Sequence, residues 1–176
     1  MNTDSFSFSI VPIAISAGAF LVSLSAFIFT RRAWLETNRP IVTAEIATHN
    51  AGSEAIAFNL VVHNVGNRPA TDIRLKATAE AIKKLLDANA RDRFKQEVER
   101  CFTDEGRIAV LHPGKSVKNG FGLTSTDKEK NVLNYGASAE IEINYKDLNS
   151  RCYTSKLNLV VRDSAYFAGS GWADRE

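Results

Sequence analysis

The sequence predicts a mainly β protein, in which an N-terminal transmembrane α-helix precedes a seven-stranded β-sandwich that carries a helical insertion. Three observations indicate this class. Residues 5–30 contain no formally charged side chain and are followed at once by Arg31 and Arg32. Seven later segments alternate apolar and polar residues with a period of two, which is typical of strands. One segment among them, about 80–102, has the period of a helix instead.

The apolar segment has the length and flanks of a retained membrane anchor. A helix rises about 1.5 Å per residue, so about 20 apolar residues cross a hydrocarbon core of about 30 Å. The stretch from Ile10 to Phe29 supplies that length. Residues 1–30 contain no Lys or Arg, so the positively charged start of a signal peptide is missing. We predict a transmembrane helix and juxtamembrane extension over residues 1–38, ending before Pro40 because the residue before proline avoids the α region.

The charges that flank the helix predict its orientation. Arg31, Arg32 and Arg39 follow the apolar segment, whereas Asp4 is the only charged side chain before it. The positive-inside rule then predicts a single-pass inner-membrane protein with its N-terminus outside and its soluble domain in the cytoplasm. We expect Trp34 and the three arginines at the membrane interface. The arginines either contact anionic lipid headgroups or only set the topology.

One face of the predicted helix is lined by small residues, a seam formed by Ser16, Ala19, Ser23 and Ala26. These residues recur at spacings of three and four, and Gly18 adds a second small position beside them. Small residues let helix backbones approach closely in lipid, so the seam predicts contact with another helix. The alternative is that the serine hydroxyls bond back to carbonyls of their own helix and the face meets only lipid.

The most specific short stretch of the soluble part connects the second and third predicted strands, and its marker residues are Asn64, Gly66, Pro69 and Ala70. Gly66 can take a positive φ, Asn64 or Asn67 can bond nearby backbone, and Pro69 fits a turn but not a central strand. The stretch resembles the Asn-x-Gly-x-x-x-Ala connection of bacterial immunoglobulin-like modules, including CARDB-like ones. The chain thus looks like the uncharacterised bacterial proteins that join one membrane helix to such a sandwich. The resemblance implies an immunoglobulin-like β-sandwich over residues 39–163 and carries no catalytic residues.

The helical insertion has one apolar face and one charged face. We expect a break near Asn89, and the insertion either contacts a partner or covers an open end of the sandwich. The predicted apolar face of the insertion comprises Ile82, Leu85, Leu86, Ala90, Phe94, Val98 and Cys101.

The final residues, 164–176, show no periodicity, so we predict a loose tail there.

Composition and motifs argue against catalysis and nucleic-acid binding. The chain carries 22 basic and 20 acidic residues. Asp4 is the only charged residue among residues 1–30, so the rest of the chain has an excess of only three positive charges. This excess is too small for a typical nucleic-acid-binding domain. The three histidines lack metal-ligand spacing, no Cys-x-x-Cys occurs, and no nucleophile elbow is present. The Gly-Lys-Ser sequence at Gly114 lacks the earlier glycine and the following helix of a phosphate-binding loop. We therefore predict no enzyme activity, cofactor, metal site or nucleic-acid partner.

Side-chain chemistry adds two further expectations. A cytoplasmic location would keep Cys101 and Cys152 reduced and unpaired. Asp72, Glu140 and Glu142 are expected on the solvent faces of strands.

The predicted function is that of a membrane-tethered protein-interaction module or accessory subunit of a membrane complex. Its expected partners are membrane lipid and either another membrane protein or further copies of the chain. The alternative is a membrane effector that senses a ligand and oligomerises through its transmembrane helix. The same fold accommodates both functions, since immunoglobulin-like sandwiches act through surfaces and loops.

Overall fold

The computed structural model describes residues 10–163, with side chains from Pro12 onward. The chain divides into two compact units between Asn38 and Arg39. The predicted loose tail at 164–176 and the N-terminal flank with Asp4 lie outside the described residues.

The first unit is a single helix, α1, Ile10–Thr37. Its part Pro12–Thr37 is long and apolar enough to cross a membrane, which confirms the predicted apolar N-terminal helix. Pro12 lies in the first turn, where backbone donors have no helical partner. The backbone N–H and the side-chain amide of Asn38 both donate to the carbonyl of Trp34 at 3.0 Å, and Pro40 follows. The helix therefore ends where the proline predicts it to end.

The second unit contains two antiparallel sheets. The strands are β1 Val42–Ala51, β2 Ala55–Asn64, β3 Ala70–Ala77, β4 Ile108–Leu111, β5 Ser116–Ser125, β6 Ser138–Lys146 and β7 Cys152–Val160. One sheet has the order β1-β2-β5 and the other the order β4-β3-β6-β7. The predicted mainly β class with seven strands is confirmed.

Alternation along each strand decides which side chains enter the core. In β6, Ala139, Ile141 and Ile143 are buried, whereas Glu140 between them is exposed. Buried side chains from both sheets belong to one hydrophobic cluster, to which the three-stranded sheet contributes Phe58. Full burial of a side chain of this size contributes about 1.5–3 kcal/mol.

The insertion between β3 and β4 forms two helices, α2 Ala79–Leu85 and α3 Asp92–Arg100. Thr78 caps α2 by accepting a hydrogen bond from the N–H of Ala81 at 3.2 Å. The chain leaves the helical path between the two helices, around Asn89 as predicted. The predicted inward position of Phe94 is wrong, because this side chain is 39% exposed while Val98 is 2% exposed. The other residues of the predicted apolar face are buried or pack against the core, namely Ile82, Leu85, Leu86, Ala90, Val98 and Cys101.

Antiparallel pairing gathers the connections at two opposite ends of the β domain. Val42 pairs with Asn64, and Lys146 pairs with Cys152. We call the end that holds 39–41, 64–69, 112–115 and 147–151 the entry end, because the chain enters the domain there at Arg39. The far end holds 52–54 and 126–131, which are joined where the N–H of Thr126 donates to the carbonyl of Glu54 at 2.9 Å.

Candidate functional site

The small-residue seam of α1 is exposed along the helix. The hydroxyl of Ser16 donates to the carbonyl of Pro12 at 2.7 Å, and that of Ser23 donates to the carbonyl of Ala19 at 2.9 Å. A Cβ added at Gly18 would meet no atom within 4 Å. The two hydroxyls therefore bond within their own helix, as expected if this face meets only lipid. The small side chains of the seam would also allow another helix to pack closely. Its predicted contact with another helix stays a prediction.

The predicted membrane-interface residues are divided between the two units. Arg31, Arg32 and Trp34 are exposed in the C-terminal part of α1, and Trp34 is 51% exposed. Arg39 is exposed in the β domain. Only the first three lie on the apolar helix, so their predicted position at a membrane interface and that of Arg39 stay predictions.

Asn64 is fully buried at the end of β2 and uses all of its side-chain hydrogen-bonding capacity. Its Oδ1 accepts from the N–H of Ile41 at 3.3 Å and of Gly66 at 3.1 Å. Its Nδ2 donates to the carbonyls of Arg68 at 2.7 Å and Leu111 at 2.9 Å. An asparagine amide offers two donors and an acceptor with two lone pairs, so no polar group is left for a ligand. Asn64 therefore joins the two sheets at the entry end and acts structurally.

Gly66 is required by close packing. A Cβ at this position would lie 2.3 Å from the backbone nitrogen of Ile41 and 2.5 Å from the carbonyl oxygen of Arg39. Gly66 does not adopt the positive φ that a glycine could take here, so close packing and not backbone conformation accounts for it. Pro69 precedes β3, where its missing N–H costs no ladder bond, and Ala70 begins the strand with no exposed surface. The turn motif therefore builds the fold and offers no binding group.

Asp72 is the centre of an ion cluster that the sequence did not predict. Its carboxylate lies 2.8 Å from Nζ of Lys146, 2.7 Å from Nε of Arg107 and 3.2 Å from Nε of Arg74. The side chain is 17% exposed, so the expectation of a simple solvent-facing position is wrong. Asp72 has a φ of 52° at an irregularity in the pairing of β3 with β6. Such a bulge redirects a side chain, and aspartate tolerates the left-handed backbone.

The cluster keeps Asp72 ionised. The hydrogen bond from Lys146 is the largest influence, and with the bond from Arg74 and the charges of Arg107 and Arg74 it lowers the pKa of the carboxyl to about 2, although desolvation opposes the shift. A carboxylate held in this state cannot donate a proton near neutral pH. The arrangement is that of a structural ion network.

A groove of about 720 Å³ lies beside the helical insertion, between the two helices and the connection that leads to β6. Its shape depends on hydrogen bonds between distant segments. The side chain of Asn134 donates to the carbonyl of Leu86 at 2.8 Å, and the N–H of Asp87 donates to the carbonyl of Val132 at 2.9 Å. The lining residues are Ala79, Lys83, Leu86, Asp87, Ala88, Asn89, Lys95, Glu99 and Asn134.

The groove presents both signs of charge. Lys95 is half-buried and donates to the carbonyl of Ala88 at 3.1 Å. Lys83 and Glu99 are exposed, and neither forms an ion pair with another residue of the described range. The chemistry of the groove therefore fits a ligand surface that carries complementary charges of both signs. A smaller hollow of about 460 Å³ lies on the other side of α2.

The two cysteines lie in different environments. Cys101 is buried, and burial raises the pKa of its thiol although Asn119 donates a hydrogen bond to the sulfur at 3.4 Å. Such a thiol is weakly reactive. Cys152 is exposed at the start of β7. Within residues 10–163, no three His, Cys, Asp or Glu side chains are grouped as a metal site would need.

Comparison with known proteins gives one finding about the family. No curated protein matches the chain. The model of a family described as a domain of unknown function, DUF8453, matches residues 6–164. The match takes in α1 and all seven strands, so the apolar helix and the β domain are inherited together. The chain belongs to this DUF8453 family.

Proposed function

We propose that this protein is a membrane-anchored interaction module, an accessory subunit whose β domain binds a partner protein in the groove beside α2 and α3. The groove carries this proposal. An insertion between β3 and β4 is not needed to complete either sheet, yet it is fixed in place by hydrogen bonds from Asn134 and Asp87. Pockets of about 300–1,000 Å³ are the size at which binding sites are found, and the groove falls within that range.

The lining of the groove favours a partner segment that carries opposite charges. Lys83 and Lys95 offer cations, and Asp87 and Glu99 offer carboxylates. Their balance disfavours a purely anionic ligand such as a nucleic acid. Tyr135, which follows Asn134, is 57% exposed, and tyrosine is enriched among the residues that dominate binding energy at protein interfaces.

An immunoglobulin-like sandwich is the proposed type of the β domain. The strand orders β1-β2-β5 and β4-β3-β6-β7 support it. They correspond to the constant-type immunoglobulin arrangement with the fourth strand moved from the first sheet to the second. The single hydrophobic cluster shared by both sheets also supports face-to-face packing.

The proposed location is the bacterial inner membrane, with the β domain in the cytoplasm, because Arg31, Arg32 and Arg39 follow the apolar helix. A membrane-impermeant thiol reagent tests the orientation, since Cys152 is exposed and Cys101 is buried. We expect Cys152 to be labelled only after the membrane is permeabilised. Labelling in intact cells would place the domain outside.

Recovery of partners with the full chain from native membranes tests the interaction. The reversals Lys83→Glu and Glu99→Lys change exposed groove residues, and Lys128→Glu is the matched control on an exposed lysine of the far end. We expect either groove variant to recover at least about tenfold less of the same partner, which corresponds to a charge contact of about 1.4 kcal/mol. Equal recovery with all three variants would contradict the proposed site.

The second candidate function, an effector that oligomerises through α1, rests on the exposed seam of small residues. Ser23→Leu separates the two functions, because it fills the seam without touching the groove. Under the accessory-subunit proposal the variant recovers the partner normally. Under the effector proposal it loses its oligomers on size-exclusion chromatography in mild detergent.

A further inference from the structure

Exposed aliphatic side chains and cations occur together at the entry end of the β domain. Val65 and Leu148 are 63% and 64% exposed, and Ile41 is 41% exposed. They lie in three connections that the pairing of the strands brings to the same end. Exposed aliphatic groups that lie together at one end of a domain, with polar groups around them, are typical of a surface that meets a partner or a membrane.

The cations of the entry end surround these aliphatic groups. Arg39, Lys115 and Arg151 are exposed, and Arg68 is half-buried. Asp147 is the one acidic residue of the four entry-end segments, and it is 6% exposed. Its carboxylate is turned inward, where it accepts hydrogen bonds from the N–H groups of Asn149 and Arg151 at 2.8 and 2.9 Å.

The far end provides an internal comparison. Its segments hold Glu54, Asp127 and Glu129 against Lys128 and Lys130, and they contain no large aliphatic residue. These two segments therefore differ from the entry end in both charge and apolar exposure. A general excess of basic residues over the chain does not explain this difference.

We propose that the entry end of the β domain docks on the surface of an anionic lipid bilayer. Peripheral binding to membranes combines buried apolar groups with attraction of cations to anionic headgroups, and the entry end offers both. The chain enters the domain there at Arg39, shortly after the apolar helix ends at Thr37. A tether this short keeps the bilayer at a high effective concentration, so weak individual contacts suffice.

This surface differs from the groove beside α2 and α3, and none of the groove residues lies in the entry-end segments. Docking at the entry end would leave the groove open to a partner. The domain would then be held in a fixed orientation at the membrane, which reduces the freedom lost when the partner binds.

Energy transfer from the full chain in lipid nanodiscs tests the proposal. A donor fluorophore on Cys152 reports the entry end, because Cys152 is exposed and Cys101 is buried. Acceptor dyes are placed on headgroups in discs of phosphatidylcholine alone or with about 30% phosphatidylglycerol. We expect higher transfer in the anionic discs and a loss of that difference at about 0.5 M NaCl, where screening is strong.

Three variants at exposed positions then assign the surface. Each cation at an anionic membrane strengthens binding about fivefold, so Lys115→Glu is expected to weaken docking by at least about that factor. Leu148→Ser should lower transfer at both salt concentrations, and the far-end control Lys128→Glu should change nothing. Equal transfer in neutral and anionic discs, or an equal effect of Lys128→Glu, would overturn the proposal.

Discussion

Asn64 joins three segments of the β domain, since its four hydrogen bonds reach the chain entry, the turn and β4. Asn64→Ala would leave buried donors and acceptors without partners, so we expect a loss of about 3 kcal/mol or more in the free energy of unfolding. Urea midpoints of the full chain in mild detergent, measured by pulse proteolysis, give this value. Asn149→Ala is the control, because that side chain is exposed. A loss below about 1 kcal/mol for Asn64→Ala would contradict the role assigned to it.

Asp72 predicts a dependence of stability on pH. Its pKa in the folded protein is about 2, below the usual 3.8, so the ionised carboxylate stabilises the fold above about pH 4 and this contribution is lost as the pH falls toward 2. Asp72→Asn removes the charge and still tolerates the positive φ. We expect the variant to be less stable at neutral pH and the difference in urea midpoint to shrink between about pH 4 and pH 2. A difference that stays constant over that range would show that the ion cluster contributes nothing.

The structural role of Asn64 could be predicted from the sequence better than that of Asp72. Asn64 stands in a local turn pattern with Gly66 and Pro69, and local patterns are visible in one sequence. Arg74 is a neighbour of Asp72 in β3, but the other two partners come from β6 and from the segment before β4, which meet Asp72 only through the pairing of the strands. No spacing in the sequence carries that information.

The strands and helices follow their periodicity, since alternation is a local property that survives in the fold. The helical insertion shows the limit of this reasoning. The residues of its predicted apolar face are buried or pack against the core except Phe94, which is exposed in α3. The groove could not be predicted either, because Asn134 and Val132 reach it from the connection before β6.

Two residues of α3 test its observed orientation. Val98 is 2% exposed and Phe94 is 39% exposed. Val98→Ala should therefore lower the free energy of unfolding by about 2 kcal/mol. Phe94→Ala removes more atoms, but we expect it to lower the free energy of unfolding by less than about 1 kcal/mol, because its side chain is partly exposed. Urea midpoints compare the two variants. A larger loss for Phe94→Ala than for Val98→Ala would contradict the observed orientation of α3.

The molecule as a whole combines an apolar helix with a β domain, and the family match extends over both. The sequence predicted this division because its hydropathy changes abruptly at Arg31 and Arg32. In the proposed role of membrane anchor, α1 would restrict the β domain to the vicinity of a membrane and raise its effective concentration toward partners there. The groove and the entry end give the domain two separate surfaces, one proposed to bind protein and one proposed to meet lipid.

Photocrosslinking from the groove tests the central claim most directly. A photoreactive amino acid is placed at Ala88, which is exposed in the groove, or at Lys128, which is exposed at the far end. The full chain is irradiated in native membranes, and its adducts are identified by mass spectrometry. Binding in the groove predicts one recurrent partner protein linked to position 88 and not to position 128. Adducts of that partner at position 128 alone, or no adduct at position 88 while the partner still co-purifies, would contradict it.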